Sequence, residues 1–178
     1  LFLPLKVLEC QTAALNGERR LSLEKGAAII GRSPEHAGFV LWAVSSALSK
    51  SNWFPREEFR MAKSNLEHAL LGLSLLKVGL ESEDAKTGWI HGATNLGSFK
   101  GLGEQYKSLT LLHEAADICL YQREPKKSLL RLVEALKAIP EAPLWMRESL
   151  YDLAGLVVQR SLAHGFVVEE QIMTLLKV

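Results

Sequence analysis

The chain has 178 residues, 48% of them hydrophobic and 23% charged, with 21 Lys and Arg against 20 Asp and Glu. That size and composition exclude intrinsic disorder and supply enough apolar mass for a core that needs neither disulfide nor metal. A formal net charge of +1 excludes a global field that would steer nucleic acid or an anionic membrane toward the protein.

Two helices are predicted first, at residues 5–15 and 21–30, joined through Asn16 and Gly17. Ser33, Pro34 and Glu35 then read as a helix start, with Ser accepting from orphan amides, Pro where no donor is needed and the acid facing the dipole. Ala37, Val40, Leu41, Val44, Ala47 and Leu48 give that helix one apolar stripe, ending near Asn52. Pro55 with Glu57 and Glu58 restarts the pattern, and Phe59, Ala62, Leu66, Ala69, Leu70, Leu73 and Leu76 carry it to a stop at Gly79. No run approaches the roughly 18 apolar residues of a membrane span, and residues 69–76 read as part of a buried helix.

Beyond a plausible cap at Ser82, residues 88–103 hold five glycines and lose periodicity, which predicts a flexible connection. The pattern returns over residues 104–121 through Tyr106, Leu109, Leu112, Ala116 and Leu120. Pro125 opens the next helix, lined by Leu129, Leu132, Val133, Leu136 and Ile139 up to Pro140. Pro143 opens another, through Met146, Leu150, Leu153, Ala154, Val157 and Leu162 to Gly165, with Arg160 and His164 set against its negative end. A short helix is expected at residues 169–176, and residues 166–168 are the only strand-like piece.

These elements predict a single all-α domain over residues 1–178. Leu144, Tyr151 and Val158 fall off the main stripe of their helix and require cover on a second side. That favours stacked antiparallel helical hairpins forming an α-α superhelix, with an irregular orthogonal helical bundle as the alternative. The chain begins with Leu and has no initiator Met, so a processed chain or a piece of a longer protein is expected. Cys10 and Cys119, each alone in an apolar helical pattern, read as reduced packing residues of a cytoplasmic or nuclear protein.

Residues 109–143 resemble a tetratricopeptide repeat, a helical hairpin of about 34 residues with small side chains where its helices touch. Ala135 matches the small position of the second helix, Ala116 that of the first, Ser128 the position opening the second, and Pro140 the closing proline. Leu112 stands where the family prefers Trp, Cys119 where it prefers an aromatic, and Arg123 and Glu124 at the turn usually marked by Gly. The resemblance covers about a fifth of the chain. It implies a helix-turn-helix layer and a concave face that grips a peptide or helix of another protein.

Catalytic constellations are sparse. His113, Glu114 and Asp117 come within one residue type of the HExxH zinc motif, but no third ligand stands in an obvious position, so they read as a surface pair across one turn. Gly92, Gly97 and Ser98 imitate the outer spacing of a phosphate-binding loop but lack its lysine and a preceding strand. His36, His68, His91 and His164 share no ligating spacing. The chain is therefore expected to be non-catalytic, with no metal and no cofactor.

Two features point instead to binding. Arg123, Lys126, Lys127 and Arg131 concentrate positive charge at one helix start, suited to an acidic peptide or a phosphate backbone. Trp53, Trp89 and Trp145 fall at helix ends or loops, where large apolar side chains anchor contacts, whereas Trp42 belongs to a helical pattern. The expected function is a protein-protein scaffold or adaptor, with Arg123, Lys126, Lys127, Arg131, Trp145 and Trp89 as candidate partner-binding residues. The alternative is a nucleic-acid-binding module using the basic turn.

Overall fold

Apolar residues at three- and four-residue spacing set the described residues, 2–50, 62–81, 102–165 and 170–176, into helices, and no strand occurs among them in this computed structural model. Their order is α1 (Leu3–Leu15), α2 (Arg19–Arg32), α3 (Ala37–Ser49), α4 (Asn65–Glu81), α5 (Lys107–Asp117), α6 (Pro125–Ala138), α7 (Leu144–Ala163) and α8 (Glu170–Leu176). The predicted start at Pro55, the glycines of residues 88–101, Trp53, Trp89 and the strand-like residues 166–168 lie outside the described residues.

The turn from α1 to α2 follows from one glycine. Gly17 takes φ 84°, a left-handed conformation open to glycine at no steric cost. That lets the amides of Gly17 and Glu18 reach back to the carbonyls of Ala14 (3.2 Å) and Ala13 (2.8 Å), which satisfies the open end of α1. Ser33 does something other than the expected capping: its side chain makes no cap hydrogen bond, and its amide donates to Ile29 O at 2.9 Å, closing α2. A 3-10 turn over Pro34–His36 intervenes before α3 begins at Ala37.

The uninterrupted helix expected from Pro55 to Gly79 is corrected at its front and extended at its back. Ala62 to Ser64 are non-helical and α4 begins at Asn65, running past Gly79 to Glu81. The start is set by Ser64 and Glu67: the Glu67 amide donates to Ser64 Oγ at 3.1 Å, and the Lys63 amide donates to the Glu67 carboxylate at 2.8 Å. This is a close variant of the reciprocal S-x-x-E box, which answers two orphan donors at once.

Helix α4 is the hub. Every residue from Ala69 to Leu76 is buried, because α2 and α3 pack on it from the N-terminal part of the chain, and α5 and α7 from the C-terminal part. Each leucine so buried stabilises the fold by roughly 1.5–3 kcal/mol relative to exposure. Gly26 permits the close crossing of α2, since a Cβ there would stand 2.8 Å from Leu70 Cδ2 and 3.2 Å from Val40 Cγ1. Arg160 on α7 donates through Nε to Leu80 O at 2.8 Å, answering a carbonyl at the end of α4.

Helices α5 and α6 make the most extensive pairing among the described residues. Ala116 and Ala135 are fully buried, and Ser128 Oγ donates to Ala115 O at 2.7 Å. The turn between them passes through a π-helical segment, Ile118–Gln122, and then Arg123, at φ 51°. Arg123 thus adopts the left-handed geometry that a glycine would hold more cheaply. Its amide donates to Ile118 O at 2.9 Å.

On α7, Val158 is buried and Tyr151 half-buried, but Leu144 is 79% exposed and Leu162 lies outside the core. The expected two-sided cover therefore extends over the middle of α7 and not its ends. One apolar cluster nevertheless links Val7 of α1 to Ile172 of α8.

Candidate interaction surfaces

The zinc-like triplet is divided between core and surface. His113, expected at the surface, is completely buried. On α5 it follows Leu109 by four residues, and the neighbours that cover Leu109 and Leu112 cover it too. Glu114 faces the other way and pairs with Arg131 Nε at 3.0 Å. Burial raises the Asp117 carboxyl above the ordinary range. Among the described residues no group of three or more His, Cys, Asp or Glu is placed to hold a metal ion. Cys10 and Cys119 are free, buried thiols, and Cys119 Sγ lies 3.4 Å from Ser161 Oγ.

The basic turn carries its own counter-charges. Lys127 lies 3.6 Å from Glu124, and Arg131 is held between Glu114 at 3.0 Å and Glu134 at 2.6 Å. Those carboxylates raise the Arg131 pKa further. Arg123 and Lys126 stand exposed beside them. A broad groove of about 850 Å³ runs from Arg131 toward the opposite end of the hairpin, and its charges are also balanced: Glu104, Glu134 and Glu141 stand with Lys107, Arg131 and Lys137.

The two tryptophans among the described residues differ in exposure. Trp145 is half-buried and packs on the core, whereas Trp42 is 49% exposed and stacks on Phe39, 43% exposed, with ring centroids 5.7 Å apart and planes at 11°. Both aromatics lie off the Ala37, Val40, Leu41, Val44 stripe, on the far side of α3. That three-residue spacing is visible in the sequence, and it is the signal for a second apolar face.

Helix α1 repeats the theme. Leu5, Leu8, Thr12 and Leu15 recur at three- and four-residue spacing and are all exposed, while Val7, Cys10, Ala13 and Ala14 face inward. Leu5, Leu8 and Leu21 line a shallow groove of about 300 Å³ between α1 and α2. A second groove of about 540 Å³ runs along the same two helices between Lys6 and Arg32.

No family model, curated protein or solved structure matches the chain. All of its described helices are accounted for by one all-α core, and none is long and apolar enough to cross a membrane.

Proposed function

We propose that the chain is a non-catalytic helical scaffold or adaptor domain that binds another protein. The observation that carries this reading is the exposure of large apolar side chains in helical register, Leu5, Leu8 and Leu15 on α1 and the stacked Phe39 and Trp42 on α3. Isolated exposed leucines are ordinary, but aligned stripes and paired aromatics have the composition of a contact centre. The likeness of residues 109–143 to a tetratricopeptide hairpin supports the same reading, with α5 and α6 as one layer of a stacked array. Counter-charges at Glu114, Glu124 and Glu134 weaken the case for a phosphate backbone at the basic turn, which would need those cations unpaired.

The test is affinity purification from native extract with wild-type chain and with Phe39→Ala/Trp42→Ala and Leu5→Ser/Leu8→Ser double variants. Partners are expected with the wild type and are lost with at least one variant while circular dichroism stays native. Recovery of nucleic acid alone, or of proteins retained equally by every variant, overturns the reading.

A further inference from the structure

The groove between Lys6 and Arg32 differs from the other concavities described above in holding an excess of cations: the 850 Å³ groove is balanced and the 300 Å³ groove sets Glu9 and Glu18 against Lys25 alone. Its floor is apolar, made by Leu3 of α1 with Ala28 and Ile29 of α2. At one end Lys25 Nζ meets Glu9 Oε2 at 2.9 Å, so that pair neutralises itself. At the other end stand Lys6 and Arg32, and among the described residues no carboxylate pairs with either. His36 closes that end, 3.6 Å from Glu35. With Glu9 the only acid in the lining, the groove holds two cations in excess. The whole chain, by contrast, has an excess of only one.

Length fixes the scale of an occupant. Ala28 and Ile29 lie three and four residues after Lys25, and Arg32 seven after it, along α2, so the lined stretch spans about 10 Å, or two helical turns. That matches the anchor spacing of an amphipathic helix laid in a groove. Small rigid ligands gain less here, because the groove lies open along its length and would leave much of their surface in water.

Resting on the reading of the chain as a protein-binding domain, we infer that this groove receives a short amphipathic peptide segment with acidic residues beside its apolar anchors. Its apolar side chains lie over Leu3, Ala28 and Ile29, and its carboxylates meet Lys6 and Arg32. Charge-assisted contacts set the direction of the segment, and the apolar floor holds it.

The experiment selects a library of random peptides on the full chain, then measures the enriched peptides by fluorescence anisotropy. Expected is enrichment of sequences that interleave Asp or Glu with Leu, Ile or Phe. Lys6→Glu/Arg32→Glu should weaken these about tenfold or more, a loss of two charge-assisted contacts. Lys126→Glu/Lys127→Glu should leave them unchanged. Ala28→Trp, which fills an exposed position on the floor without reversing any charge, should block the same peptides. Their binding should weaken as ionic strength rises.

Enrichment of neutral or basic sequences overturns the inference, as does equal binding to the charge-reversed and filled variants. Competition by a single-stranded oligonucleotide at comparable affinity overturns it too, in favour of an anion-general surface. If peptides ignore the groove while partners from extract still depend on Trp42 or Leu8, the groove assignment fails and the scaffold reading stands. Failure of both assays removes both.

Discussion

The two thiols give the sharpest consequence at the scale of single residues. Burial pushes Cys10 up to about 11, with Lys25 opposing weakly, and burial also raises Cys119. Only the thiolate is nucleophilic and Cys10 is fully closed off from solvent, so at pH 8 it should alkylate with iodoacetamide at least about a hundredfold more slowly than an exposed thiol of pKa about 8.5. The rate should climb as pH rises toward 11, and denaturant should abolish the difference; mass spectrometry reads both. The sign for stability follows. A folded-state pKa above the unfolded one means the contribution is complete below about 8.5 and is lost as pH rises through 11. That Cys10 and Cys119 would be buried was legible from their apolar surroundings. The burial of His113 was not, because a histidine next to Glu114 in a sequence carries no mark of which faces of its helix have neighbours. Only the arrival of α4, α6 and α7 around α5 decides that.

At the scale of elements, helix starts were legible at Pro125 and Pro143, shifted by a 3-10 turn after Pro34, and obscured where a longer apolar pattern ran through them. Pro125 and Pro143 placed α6 and α7 to within a residue. The start of α4 was hidden because Ala62 and Leu66 continue the same stripe across the break, although Ser64 and Glu67 spell the capping signal. Ser64→Ala should therefore cost about 1 kcal/mol in urea denaturation, with Ser64→Asp restoring most of it. If the alanine variant is as stable as the wild type, α4 is positioned by its packing alone and the cap is incidental. Exposed faces were half legible in the same sense: Phe39 and Trp42 sit plainly off their stripe, but the inward direction of a helix apolar on two sides is a tertiary fact.

Across the whole molecule, the all-helical class followed from periodicity alone, while the arrangement around α4 had no sequence signature. A glycine reports that arrangement. Gly26→Ala should lower stability by about 1 to 2 kcal/mol net, because overpacking against the fully buried Leu70 and Val40 outweighs the gain in helix propensity. Gly155→Ala on α7, where an added Cβ meets nothing within 4 Å, should instead raise stability by up to about 1 kcal/mol. Equal responses at the two sites, read from urea midpoints, would refute the tight crossing. The position of α4 has one more consequence, for how such a chain can be divided or lengthened. An array of repeats can gain or lose units because each touches only its neighbours. Here α4 is clad by partners from both directions along the chain, so either half taken alone would leave it with an open apolar side. A cut on either side of α4 therefore strips a wall from the same room, whichever half keeps the helix.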